Sequence, residues 1–163
     1  EVTSMDHLFN IYIDQPIAIG NWDVSNVTNM SHMFSGASSF NQPIGNWDVS
    51  NVTNMSHMFS GARLFNQPIE NWDVSKVMDM EYMFNNAKSF NQPIGNWNVS
   101  KATIINDLLR GAEAFNQSTE NLDNRNIIKK TFYDNGNIKE QSKVNLYGKK
   151  KWRDNCISRK RGY

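Results

Sequence analysis

Apolar residues recur along this chain at a fixed interval. Trp22, Trp47, Trp72 and Trp97 stand 25 residues apart, with Leu122 in the fifth place. Phe40, Phe65, Phe90 and Phe115 keep the same period, as do Met30, Met55 and Met80, then Ile105, and Phe34, Phe59 and Phe84. Such self-similarity marks a repeat architecture and takes precedence over any local motif. Within one copy Met30, Met33, Phe34 and Ala37 lie at i, i+3, i+4 and i+7, which predicts a short helix. Thr28 or Asn29 offers a cap for its first turn. Gly36, Gly61 and Asn86 stand where it should stop. Ile44–Val49 alternates apolar and polar residues and predicts a short strand, confined to follow Pro43, Pro68 and Pro93. A unit of one short strand and one short helix cannot bury its own apolar face, but stacked units can. The expected fold is therefore an α/β solenoid of about five 25-residue turns. Its expected core is the Trp, Met and Phe set just named. An asparagine at 21, 46, 71, 96 and 121 predicts an internal ladder of stacked amides through Asn21, Asn46, Asn71, Asn96 and Asn121.

Composition changes this picture in one respect. The formal net charge is +1, yet residues 1–128 hold 6 Lys and Arg against 13 Asp and Glu, giving −7. Residues 129–163 hold 11 against 3, giving +8. The chain thus divides into an acidic repetitive body, 1–128, and a basic tail, 129–163. In the tail, Lys130–Tyr133 and Ile138–Val144 flank Asn135-Gly136, the strongest short signal for a β-hairpin. The last ten residues are expected to be loose. No apolar run reaches about 18 residues, so no membrane insertion is expected. The lone Cys156 excludes an internal disulfide framework. No signal peptide is legible in this chain. Met5 and Phe9 fall under Met30 and Phe34, so the chain opens in mid-repeat and reads as part of a longer array.

Two polar columns follow the period. His7, His32 and His57, continued by Tyr82 and Asp107, raise the question of a shared metal. A zinc ion needs nitrogens about 2.0–2.1 Å away, closer than adjacent units on a helix face are expected to bring them. Asp23, Asp48 and Asp73, then Asn98, raise the question of calcium, which needs six to eight oxygens. Each instead follows a Trp at a turn, where its side chain can bond a backbone amide two residues on. No nucleophile elbow, phosphate loop or zinc-protease motif is present. The expectation is no catalytic residue, no metal and no cofactor. Lys149–Lys151 and Arg159–Arg161 offer phosphate contacts, but a solvated tail is the favoured reading and nucleic acid is not the expected partner.

The segments WDVSNVTNMSHMFSGASSF at Trp22–Phe40 and Trp47–Phe65 resemble the BspA-like bacterial surface protein family, over about Val2 to Asn121. Copy three, WDVSKVMDMEYMFNNAKSF, departs mildly, with Met78 in place of Thr. Copy four, WNVSKATIINDLLRGAEAF, keeps only the pattern. The resemblance implies a leucine-rich-repeat-like fold and a cell-surface or secreted protein with binding or adhesion roles. FYDNGNIKEQSKVNLYGKKKW resembles one unit of the variant MORN repeat at Tyr133, Asn135, Gly136, Ile138, Lys139, Gly148 and Lys149. The resulting expectation is a non-catalytic surface repeat protein that binds a protein or other surface macromolecule. Its specificity would lie at exposed positions that change between copies: Arg63, Glu70, Glu81, Lys88 and Glu113. The alternatives are a spacer array without a ligand, and a toxin–antitoxin or nucleic-acid role for the tail.

Overall fold

A computed structural model describes residues 2–9, 18–119 and 122, and the backbone of three strands in the tail. Within the body, each 25-residue unit makes one circuit, here termed a coil, and lies directly on the next. Single parallel bridges join Ser4 to Asn29, Asn29 to Asn54, Asn54 to Asp79 and Asp79 to Ile104. One bridge per coil is too narrow to make a strand.

The α/β expectation is overturned. Among the described residues of the body there is neither the strand nor the helix per coil that an α/β, leucine-rich-repeat-like solenoid requires. The backbone shows why the helical spacing misled. His32 has φ 54° and Gly36 φ 77°, so the chain enters the left-handed region twice in five residues. Met33 N–H closes a turn onto the Met30 carbonyl at 3.3 Å, and Ala37 N–H onto Phe34 at 3.1 Å. In both turns the third residue carries the positive φ, the mark of a type II turn. Two such turns in tandem bury Met30, Met33, Phe34 and Ala37 just as a helix would. The alternate amides face outward along the stack. Met30, His32, Phe34 and Gly36 donate to Asn54, Ser56, Met58 and Ser60 at 2.7–2.9 Å. A helix would have spent those donors on itself.

The predicted strand at Ile44–Val49 is likewise a pair of turns. Trp47 N–H bonds the Ile44 carbonyl at 3.1 Å and Val52 N–H bonds Val49 at 2.9 Å. Ile44, Trp47, Val49 and Val52 are all buried. The indoles cross the coil boundary: Trp47, Trp72 and Trp97 Nε1 donate to the carbonyls of Ile19, Ile44 and Ile69. Trp22 is only half-buried.

Phenylalanines form two continuous columns inside. Phe34, Phe59 and Phe84 stack at 5.5 and 5.6 Å. Phe40, Phe65, Phe90 and Phe115 stack at 5.8–6.0 Å. Within a coil the two columns touch, with 3.9 Å between the Phe34 and Phe40 rings. Met30, Met55 and Met80 are wholly buried beside them.

The amide ladder runs elsewhere than the sequence indicated. Asn21, Asn46, Asn71 and Asn96 are exposed, and Asn121 lies outside the described residues. Asn41, Asn66 and Asn91 carry the ladder instead, each Oδ1 accepting the backbone N–H 25 residues on at 2.9–3.0 Å. Gln67 and Gln92 Nε2 donate to the same asparagines from the coil above. The Asn41 and Asn66 ladder itself lies at the surface, and beside the exposed Asn46 the backbone of Gly45 approaches the next coil. A Cβ on Gly45 would lie 2.6 Å from the Pro68 carbonyl oxygen.

In the tail, β1 (Ile128–Phe132) and β2 (Ile138–Val144) pair antiparallel, with a register shift between Thr131 and Phe132. A third strand, β3 (Lys150–Lys151), adds to β2. The residues between the strands, including Asn135-Gly136, and the resemblance positions Tyr133, Gly148 and Lys149 lie outside the described residues, as does Cys156.

Candidate interaction surface

Stacking at a fixed period places equivalent side chains of successive coils next to one another. Ser38, Arg63, Lys88 and Glu113 form one such column, in which Arg63, Lys88 and Glu113 are exposed and Ser38 is half-buried. Their backbones are tied in register, since Leu64, Ser89 and Ala114 N–H donate to the Ser38, Arg63 and Lys88 carbonyls at 3.0–3.1 Å. Beside them runs the left-handed column of Gly36, Gly61 and Asn86. Together Gly36, Ser38, Gly61, Arg63, Asn86 and Lys88 line a groove of about 530 Å³. Lys88 Nζ pairs with Glu113 Oε1 at 2.8 Å on the groove flank. Exposure keeps that pair weak, on the order of 0–1 kcal/mol, and leaves both ends available.

Of the residues expected to meet a partner, the structure thus brings Arg63, Lys88 and Glu113 together. Glu70 is exposed but outside this groove. Glu81 is half-buried, and its N–H is bound by Asp79 Oδ1 at 2.9 Å. Sequence reasoning treated Gly36, Gly61 and Asn86 as helix stops and missed them as the groove floor. The signal was present: two glycines and an asparagine at one repeat position, each permitted at positive φ.

The histidine column is tighter than expected. His7 and His32 rings stack at 4.4 Å and His32 and His57 at 4.5 Å, and Tyr82 continues the stack at 5.0 Å from His57. Face-to-face rings point their nitrogens sideways, so they do not converge on an ion. Among the described residues no three His, Cys, Asp or Glu side chains form a metal-binding group. Burial pushes the His32 imidazole down, and its neighbours His57 and His7 add to the effect while Asp6 opposes it. At Asp6 burial pushes the carboxyl up, but bonds from the Ser31 hydroxyl and His7 outweigh it and hold it low. A hydrogen bond to Asp107 raises the Tyr82 phenol.

The aspartate column serves its own turns. Asp23, Asp48 and Asp73 Oδ1 each accept the N–H of the serine two residues on at 3.0 Å, and Asn98 does so at 3.1 Å. The bonds from Ser25, Ser50 and Ser75 hold these carboxyls below their usual range.

The geometry can be set beside known proteins. The family model described as "Mycoplasma protein of unknown function, DUF285" matches residues 1–74 and, in an overlapping register, 44–145. Two overlapping matches are what an internal repeat produces. No curated protein and no solved structure matches the chain.

Proposed function

The chain belongs to the repeat-containing DUF285 family, and we propose that it is a non-catalytic binding protein that meets another macromolecule along the Ser38–Arg63–Lys88–Glu113 column. The observation that carries this reading is the division of labour among exposed positions. The repeated polar residues are spent on the stack: Asn41 and Asn66 bond the next coil, and Asp23 and Asp48 close turns. The side chains over the groove change from coil to coil, and the one link they make between coils is the weak exposed Lys88–Glu113 pair. Variation on a rigid periodic frame is how repeat proteins present a binding surface. Catalysis finds less support, because the His and Asp columns recur with near-equal surroundings and an active site breaks such symmetry. The resemblance to BspA-like proteins supports a place at the cell surface or outside the cell, and adhesion as the role. Among the described residues no helix is long and apolar enough to cross a membrane.

The test is a paired capture experiment against extracellular-matrix proteins and bacterial surface fractions. One bait is the native chain. The other carries Arg63→Ser, Glu70→Gly, Glu81→Ser and Lys88→Ser, which restores the residues of earlier copies. A partner held by the native chain and lost from the regularised one supports the reading. A folded chain that captures nothing favours a spacer without a ligand.

A further inference from the structure

Arg63 and Leu64 stand together at one corner of their coil, where Phe65 N–H closes a turn onto the Ala62 carbonyl at 3.1 Å. Both are exposed, Leu64 at 55%. The same corner carries Ser38-Ser39, Lys88-Ser89 and Glu113-Ala114 in neighbouring coils. Of these four corners only that of Arg63 sets a cation beside a large apolar side chain. The turn itself needs neither, because Ser38-Ser39 closes it equally well, with Phe40 N–H on Ala37 at 3.0 Å.

The chemistry of the rim follows from its charges. Among the described residues the Arg63 guanidinium has no ion pair and no hydrogen bond. Lys88 follows one coil on, tied in register by Ser89 N–H on the Arg63 carbonyl at 3.0 Å. Hydrogen-bonded neighbours of this kind lie about 4.8 Å apart, so the two cations repel and an anion set between them relieves both. Glu113 Oε1 already sits on Lys88 at 2.8 Å, a carboxylate of the chain's own in the place an incoming carboxylate would take. The groove floor adds a constraint. Gly36, Gly61 and Asn86 N–H are spent on the Ser60, Asn85 and Arg110 carbonyls at 2.7 Å, so these amides are not free for a partner's backbone. Recognition therefore falls to the side chains of the rim. The floor at Gly36 and Gly61 carries no side chain, which leaves room for a slender chain to lie along it.

We propose that the groove takes an extended acidic polypeptide segment, with a carboxylate on Arg63 and Lys88 and an adjacent apolar side chain on Leu64. This rests on the reading of the groove as a binding surface and names its occupant. The planar guanidinium fits a carboxylate through two parallel hydrogen bonds. Leu64 decides between kinds of polyanion, because an acidic glycan has no apolar branch to cover it. Nucleic acid is disfavoured for a separate reason: its bases stack on aromatic rings, and none lines the groove.

The probe is the peptide Gly-Ser-Glu-Leu-Glu-Ser-Gly, titrated into the full isotopically labelled chain and followed by amide chemical shifts. Saturable shifts confined to the groove and the Arg63-Leu64 corner are expected. Arg63→Ser and Leu64→Ser, which restore the residues of the preceding copy, should each weaken binding at least about fivefold. Glu113→Gln should tighten it, by up to about fivefold, because Lys88 loses its competing carboxylate. The same peptide with glutamine for glutamate should not bind. No saturable shift, binding of the glutamine peptide, or indifference to Arg63→Ser overturns the proposal. Equal binding by an oligoglucuronate, unchanged in Leu64→Ser, overturns it in favour of an acidic glycan. If the native chain captures a partner that the regularised bait loses, while the peptide fails, the binding groove stands and its acidic polypeptide occupant falls.

Discussion

The indole N–H of Trp72 donates to the backbone carbonyl of Ile44 at 3.3 Å, across the boundary between two coils. The bond lies in a buried setting, and without it the Ile44 carbonyl keeps only the Trp47 N–H at 3.1 Å, so the loss is that of one hydrogen bond. Trp72→Phe is expected to cost about 0.5–1.5 kcal/mol and Trp72→Ala about 3–5 kcal/mol, the second including the cavity. Trp22→Phe should cost well under 1 kcal/mol, since Trp22 is half-buried and its indole N–H makes no such bond among the described residues. Urea midpoints of the three variants decide it. Equal losses at Trp22 and Trp72 would mean that the bond across coils contributes nothing.

Backbone conformation gives a second prediction. The body is built from turns and single bridges, so far-UV circular dichroism should show no minimum of helical size at 222 nm. A strong helical spectrum would contradict the tandem turns at Met30–Ala37.

Gly61 holds φ 75° at the groove floor, and Asn86 takes the same place in the next coil at φ 56°. Gly61→Ala should therefore destabilise the chain by about 1–2 kcal/mol, the cost of a Cβ in left-handed backbone. Gly61→Asn should cost less than half of that, because asparagine tolerates this region. The ordering of the two midpoints, more than either value, is the test.

The stacked imidazoles predict a pH dependence. Burial, then His57 and His7, depress the His32 pKa below its ordinary value of 6.5. The folded chain thus holds fewer protons on His32 than the unfolded chain does once pH drops below about 6.5. Stability from this group is complete above that value and is lost as pH falls through the depressed folded value. His32→Tyr, which copies the residue at Tyr82, should keep the stack and flatten the decline between pH 7 and 5. Guanidinium midpoints at both pH values measure it, and an unchanged slope would remove His32 as the cause.

The aspartate column acts at lower pH. Bonds from Ser25, Ser50 and Ser75 hold Asp23, Asp48 and Asp73 below the ordinary carboxylate value. Their contribution is present above about pH 4 and disappears as pH falls through the depressed values. Asp48→Asn, with Asn98 as its precedent, should leave the midpoint at pH 7 nearly unchanged and reduce the loss at pH 3. A large loss at pH 7 would show that the charge, not the turn geometry, matters there.

The surface was legible in part. That Arg63, Lys88 and Glu113 share a column follows from their spacing of 25 alone. That Arg63 and Lys88 overlie a groove, while Glu81 is partly withdrawn, depends on how each coil turns at Gly61 and Asp79. Nothing local to those residues announces it.

The 25-residue period by itself determined which positions form columns and which of those columns are interior. Equal spacing puts each residue in the environment of its equivalent, so Met30, Met55 and Met80 share one fate, and so do Phe34, Phe59 and Phe84. What the period did not contain is the backbone that delivers them. A spacing of i, i+3, i+4 and i+7 describes burial, and tandem turns with positive φ at His32 and Gly36 satisfy it as fully as a helix. Only the tertiary structure chose between them. The deciding hydrogen bonds run from Met30, His32 and Phe34 to the coil 24 residues on, and a partner in another coil leaves no mark on local sequence. The same reason moved the amide ladder from Asn46 to Asn41. Both recur at the same period, and only the packing of neighbouring coils decides which one faces a backbone group it can bond.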